Sequence, residues 1–265
     1  MESDKVFAGP VPRLYERHLG PILFQPFADA VAERVGENDR MILETAAGTG
    51  IVTRAVAAAA PQSAIVATDL NQAMLDVAAE RTSAGGVQWQ QADAQALPFA
   101  AGSFDLVVCG FGVMFMPDKQ AALGEARRVL RPGGRFIFTV WDRIEANPLM
   151  HIAEETVARL FPQDPPRFLS RTPCGYHDRT RIERDLREAS FTSVAIEDLR
   201  RDSEVASASQ PAIGLCQGSP LRGEIEARDP DGLASATGAV AAALEERFGR
   251  GPFRASLQAL LVAAA

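Results

Sequence analysis

The stretch Arg40-Met-Ile-Leu-Glu-Thr-Ala-Ala-Gly-Thr-Gly50 constrains this chain more than any other. Residues 41–43 form a short apolar run that closes on the acidic Glu44. The chain then passes through small residues and enters the helical-looking segment 51–60, the pattern of strand, tight turn and helix. A turn of Ala46, Ala47, Gly48 and Gly50 carries almost no side-chain bulk. A flat polar ligand can therefore lie against its backbone, and the helix can begin close to the strand.

The spacing separates two kinds of ligand. A dinucleotide fingerprint, Gly-x-Gly-x-x-Gly, wants a third glycine at position 53, where this chain has Thr53. The turn reads instead Glu-x-Ala-x-Gly-x-Gly from Glu44 to Gly50. It resembles the first motif, acidic-x-Gly-x-Gly-x-Gly, of the class I S-adenosylmethionine-dependent methyltransferases, with Ala46 in place of the first glycine. In that family the turn wraps the methionine and ribose of the cofactor, and the acidic residue sits near its amino group. The resemblance therefore implies cofactor contacts from Glu44, Thr45, Ala46, Gly48, Thr49 and Gly50.

Downstream, residues 63–69 read as a strand closing on Asp69, 19 positions beyond Gly50. One carboxylate at a strand end can accept a hydrogen bond from each of two vicinal ribose hydroxyls. The competing role for Asp69 is to cap the helix expected over 71–80, which Asn71 could also do. Leu70 and Met74 join the expected cofactor contacts. Residues 87–91 alternate like a strand and lead into Asp93 and Ala94, where the resemblance implies hydrogen bonds to the adenine. A surface turn is the plain alternative there.

The apolar run 104–112 suits a buried central strand. Ligands in open parallel sheets lie beyond the carboxyl ends of the strands, so Gly110 and Phe111 are expected beside the cofactor and Met114 in an acceptor pocket. Aromatic and methionine residues at this spacing equally fit plain core, and Cys109 reads as an apolar filler. Residues 119–130 form an amphipathic helix with arginines in its last turn, stopped by Pro132-Gly133-Gly134 before the strand 135–141. The run Glu125-Ala-Arg-Arg-Val-Leu-Arg-Pro-Gly-Gly134 resembles the same junction in the branch that includes the ubiquinone and menaquinone biosynthesis C-methyltransferases.

Five strand signals alternating with four helices between 41 and 141 predict a doubly wound α/β sheet. The resemblance extends this to seven strands, mostly parallel, with helical cap insertions. The expected division is an N-terminal helical cap over 1–35, a cofactor-binding core over 36–145, and cap segments with the last strands of the same domain over 146–265. Prolines 10, 12, 21 and 26 break the N-terminal part into two short helices, 14–18 and 24–35. Tyr15 and His18 share a face of the first, either packing there or, as the resemblance implies, reaching over the cofactor. Helices are expected over 147–160 and 178–189 and two or three within 203–248, with strands over 191–196 and 253–262. Trp141, His151 and His177 lie in or near this cap and, with His18, are candidate acceptor-pocket residues, although a lone histidine as often simply packs.

Composition bounds the rest. With 47% apolar residues the 265-residue chain can bury a full core. A net charge of -7, from 27 Lys and Arg against 34 Asp and Glu, argues against nucleic acid as a partner. No apolar run approaches the roughly 18 residues of a membrane span, and the charged Met1–Lys5 start is not that of a signal peptide. Three cysteines without Cys-x-x-Cys suit a reducing, cytoplasmic setting and neither a disulfide framework nor a structural zinc site. The expected function is transfer of a methyl group from S-adenosyl-L-methionine to a small, largely apolar acceptor at carbon or oxygen, without a metal, and with a homodimer left open. Such a reaction needs acceptor and methyl held at near-attack distance and water kept out, so no catalytic triad is required. The alternatives are a lipid-headgroup N-methyltransferase, a thiol- or arsenic-directed enzyme using Cys174 and Cys216, a cofactor-binding protein without catalysis, and an NAD-dependent dehydrogenase.

Overall fold

The computed structural model describes residue 7, residues 9–82 and residues 85–265; the charged start over 1–5 lies outside them. Seven strands form one sheet in the order β3-β2-β1-β4-β5-β7-β6. They are β1 Met41–Glu44, β2 Ala64–Asp69, β3 Val87–Gln91, β4 Phe104–Gly110, β5 Leu130–Trp141, β6 Val194–Val205 and β7 Phe253–Ala264. β1 lies parallel between β2 and β4, with Leu43 opposite Val66 and Val107. A strand with a parallel neighbour on each edge is covered on both faces and must be apolar along its length. Accordingly Ile42, Leu43, Leu106 and Val107 are all fully buried.

The chain reverses direction across the sheet between β1 and β4, and the loops after β1, β2, β3 and β4 all leave from the carboxyl ends of parallel strands. In such sheets that reversal opens a crevice for ligands. β7 runs antiparallel to β5, with Phe138 opposite Val262, and lies between β5 and β6.

Two expectations are corrected. Between β1 and β5 the α-helices are Ile51–Ala59, Gln72–Arg81 and Lys119–Val129, three rather than four among the described residues. β3 reaches β4 through a loop. Arg128 holds that loop by donating to the carbonyls of Phe99 and Leu97, while Glu125 accepts the Leu97 N–H. The N-terminal segment is not two separate helices but one helical run from Val11 to Ala32. Its middle, Tyr15–Phe24, is wound as a π-helix and contains Pro21. Proline has no N–H to give, and the wider turn admits it without ending the helix.

The chain divides into two compact units. One comprises Phe27–Trp141, Tyr176–Leu199 and Ala259–Ala265, and it contains β1 to β5. The other comprises Met1–Pro26, Asp142–Gly175 and Arg200–Gln258 and is built chiefly of helices, among them Pro148–Leu160, Ser209–Gln217 and Leu233–Phe248. No helix among the described residues is long and apolar enough to cross a membrane.

Candidate functional site

At the end of β1 the chain turns through residues held in conformations that side chains disfavour. Ala46 has φ 54°, Gly48 φ 56° and Gly50 φ 79°. Ala46 is the residue that replaces a glycine of the motif. A left-handed non-glycine backbone costs about 1–2 kcal/mol and persists only where its surroundings impose it. Here they do: Thr45 donates its N–H to the Val108 carbonyl at 2.8 Å, and Ala47 donates to Thr68 at 2.8 Å. The turn is thus tied to both neighbouring strands. A Cβ on Gly50 would lie 2.9 Å from the Trp89 ring, so the helix Ile51–Ala59 can begin there only on glycine. No side chain caps that helix.

Two carboxyl groups face this turn. Asp69, at the end of β2, accepts the Gly48 N–H on Oδ2 at 2.8 Å and the Asn71 N–H on Oδ1 at 2.8 Å. Burial pushes its carboxyl above the ordinary range in spite of these donors. Oδ1 also accepts the Asn71 side-chain amide at 3.4 Å, whereas Oδ2, with one donor, still has a lone pair to offer. Glu44 is the more unusual group. It is 2% exposed, and its Oε2 is buried without a hydrogen-bond partner. Burial raises its carboxyl to about 8; the Thr53 hydroxyl and Arg54 oppose the shift and Asp69 adds to it. A buried carboxyl oxygen without a donor is costly, and a cationic amine placed against it would remove the cost.

Around this pair, Met74 is buried, with its methyl 3.5 Å from where a Cβ on Gly48 would stand, while Leu70 is 43% exposed at the rim. Asp93, after β3, accepts the Gln95 N–H at 2.9 Å and is gripped by the Gln95 side chain at 3.1 Å. The Gln95 carbonyl oxygen accepts the Asp118 N–H in turn. Ala94 is half-buried in the same loop. After β4, Phe111 takes φ 53° and donates its N–H to Thr139 of β5. Its ring stacks on Trp141 at 4.3 Å, and Phe27 meets both edge-on at 5.5 and 5.4 Å. Trp141, expected as an acceptor-pocket residue, is 2% exposed and its ring faces are engaged in this trio. Met114 is buried in the 3-10 turn Val113–Phe115.

Glu44 to Gly50, Asp69, Leu70, Met74, Asp93, Ala94, Gly110, Phe111, Met114, Trp141 and the exposed His177 therefore all belong to the sheet unit. Tyr15, His18 and His151 belong to the helical unit. Tyr15 stacks on Phe24 at 4.9 Å. His151 lines a cleft of about 510 Å³ with Glu155, Arg159 and Arg247. The three thiols are buried; burial drives those of Cys109 and Cys216 up to about 12 and raises that of Cys174 further, which disfavours the thiolate a thiol-based mechanism needs. No three His, Cys, Asp or Glu side chains among the described residues converge as a metal site.

Sequence reasoning assigned no role to Gln95, Thr139 or Lys119, and helical spacing marked Phe27 only as a packing residue. Gln95 had a signal, since a polar residue two positions after an aspartate is the pattern of an Asx turn. Thr139 acts through a contact distant in sequence and had none, and the partners of Phe27, Phe111 and Trp141, are likewise distant.

Comparison with known proteins agrees with this layout. A family described as a methyltransferase domain matches residues 43–138, from β1 to β5. A demethylmenaquinone methyltransferase of Lactobacillus johnsonii is 32% identical over 171 residues, covering 59% of this chain and 70% of that protein. A ubiquinone/menaquinone biosynthesis C-methyltransferase of Methylobacterium nodulans is 38% identical over 125 residues, covering 46% of this chain. The match spans only half, 50%, of that relative's length. Among solved structures, phosphoethanolamine N-methyltransferase 2 of Haemonchus contortus superposes with a TM-score of 0.59 at 18% identity, over 96% of this chain and 56% of that one. At that identity the likeness is one of fold.

Proposed function

Since the chain belongs to the class I S-adenosylmethionine-dependent methyltransferases, we propose that it transfers a methyl group from S-adenosyl-L-methionine to a small, largely apolar acceptor at carbon or oxygen. The observation that carries the reading is Glu44, a fully buried carboxyl whose Oε2 has no donor, at the head of a turn bare of side chains. This fits the ammonium of the cofactor's amino-acid end. Asp69 Oδ2 has a lone pair left for a ribose hydroxyl, Oδ1 would take the second in place of the long Asn71 side-chain contact, and Asp93 with the backbone of Ala94 would meet the adenine. Leu70, Met74, Gly110 and Phe111 would supply the apolar walls. Bound there, S-adenosyl-L-methionine supplies a methyl on a sulfonium, whose departure as a neutral thioether makes the displacement favourable.

What remains for the protein is binding, orientation and exclusion of water. A left-handed turn tied to β2 and β4 and a loop clamped by Gln95 and Arg128 are already ordered, so little of the binding energy goes into arranging them. The acceptor class rests on the two quinone-pathway relatives and on the buried apolar side chains of Met114 and Met116 beyond β4. Calorimetry with S-adenosyl-L-methionine and S-adenosylhomocysteine, followed by mass spectrometry of a panel of demethylated quinols and phenols incubated with the purified protein, tests the reading. Micromolar binding and appearance of a product 14 mass units heavier are expected, on the order of the affinities usual for cofactor sites. Absence of binding by either nucleoside would overturn it.

A further inference from the structure

We propose that Glu44 carries a proton while its carboxyl stands alone and gives it up when a cationic amine docks on Oε2, so that binding of the nucleoside is coupled to release of one proton. This rests on the methyltransferase reading above and deepens it. The geometry is the basis. Glu44 is buried at the carboxyl end of β1, and Oε2 receives no hydrogen bond. An ionised carboxylate in such a place lacks water and has no donor on Oε2, with only the Thr53 hydroxyl favouring its charge by hydrogen bonding, whereas the neutral acid tolerates it.

The groups that face it reinforce this. Asp69 on β2 is itself a buried acid, and any charge it carries disfavours a second one on Glu44. Cys109 on β4 lies close enough to feel Glu44 and is an uncharged thiol at neutral pH. Arg54, one turn into the helix Ile51–Ala59, favours the ionised form, but its guanidinium donates to the Thr49 carbonyl at 2.8 Å, and it does not hydrogen-bond Oε2. Burial, reinforced by Asp69 and opposed by Thr53 and Arg54, leaves the carboxyl titrating near 8, so it is largely protonated at neutral pH. A docked ammonium changes the balance at once, because it brings the missing donor and an opposite charge into a site closed to water. The O–H bond of Glu44 breaks, its proton passes to solvent, and the carboxylate that remains accepts from the ammonium.

The test is calorimetric binding of S-adenosylhomocysteine to the full chain at pH 7 in phosphate and in Tris, whose ionisation enthalpies differ widely. For wild type the two binding enthalpies are expected to differ by an amount matching release of close to one proton, and for Glu44→Gln they are expected to coincide. The wild-type dissociation constant is also expected to fall about tenfold between pH 6 and pH 7 and to level off above about 8. Binding with equal enthalpies in both buffers would overturn the proposal while leaving the methyltransferase reading intact. Absence of binding would overturn that reading itself. A buffer difference that persists in Glu44→Gln assigns the proton to another group and rejects Glu44. The infrared difference spectrum of wild type on ligand addition decides independently of any variant: loss of a protonated carboxyl band supports the proposal, and an unchanged carboxyl region rejects it.

Discussion

Asp69 Oδ2 accepts the backbone N–H of Gly48 at 2.8 Å, so the carboxylate expected to hold a ribose also holds the turn that shapes the site. Its other oxygen accepts the Asn71 N–H at the head of the helix Gln72–Arg81. The capping and ribose-binding readings of this residue are therefore compatible rather than exclusive. Asp69→Asn must turn an amide NH2 toward one of these two N–H groups. A loss of about 1–3 kcal/mol in unfolding free energy is expected from that mismatch, read by urea denaturation. In the same variant the dissociation constant for S-adenosylhomocysteine should rise by more than the stability loss alone explains; an unchanged constant would remove Asp69 from the ribose site.

Ala46 and Gly112 form a coupled pair. A Cβ built on Gly112 would stand 2.5 Å from the Ala46 Cβ and 2.7 Å from the Cys109 sulfur. Ala46→Gly relieves the left-handed strain at φ 54° and loses some of that gain to the freer unfolded chain, for a net stabilisation of about 0.5–1 kcal/mol. Gly112→Ala should destabilise by about 2–4 kcal/mol as the turn is pushed from β4. In the double variant the Gly112→Ala penalty should shrink, because one of its two obstructions is gone. Strict additivity in the thermodynamic cycle would mean that the two sites relax separately.

Much of this arrangement was legible in the residues, for reasons the structure makes plain. β1, β2 and β4 are short apolar runs because each is covered on both faces, and the carboxylates that end β1 and β2 were visible because they interrupt those runs. Strict alternation of strands and helices overstated the helices before β5 by one, because β3 passes to β4 through a loop that Glu125 and Arg128 hold in place. Pro21 misled the reading of the N-terminal segment, since no pattern of single residues announces a π-helix. Trp141 looked like a pocket residue from its place at a strand end. Its burial depends on Phe27 and Phe111, which lie far from it in sequence.

Lys119 is a testable support of the acceptor side. Its Nζ donates to the carbonyls of Met114 and Met116 at 3.3 and 3.0 Å, closing the turn that carries Met114. The same ammonium lies 5.1 Å over the ring of Tyr176, whose hydroxyl donates to Asp185 at 2.9 Å. Lys119→Met keeps the apolar stem and removes the charged donor, and a destabilisation of about 1–3 kcal/mol is expected. Hydrogen exchange should quicken across 113–119 while 87–97 keeps its protection. Uniform change in both segments would show general loosening instead of a local role.

The pH dependence of stability follows from Glu44. In the unfolded chain its carboxyl loses a proton near 4.5, while in the ligand-free fold it holds that proton until about 8. Between those values the folded protein binds more protons than the unfolded one, so unfolding releases a proton and stability falls as pH rises. The contribution is fully present below 4.5, declines through the window and is lost above about 8. Asp69, also raised by burial, acts with the same sign. Asp105 and Glu125 are held below their ordinary values and contribute the opposite slope only at more acidic pH, and His18, lowered by burial and by Arg17 from its ordinary 6.5, contributes it around and below that value, which leaves the range from about 7 to 8 to Glu44. The melting temperature of the ligand-free protein should therefore decline from about pH 7 to 8, above the range in which His18 titrates, and Glu44→Gln should flatten that decline, because an amide has no proton to lose. An equally steep decline in the variant would place the titration elsewhere and show that the buried carboxyl is already ionised in the empty site.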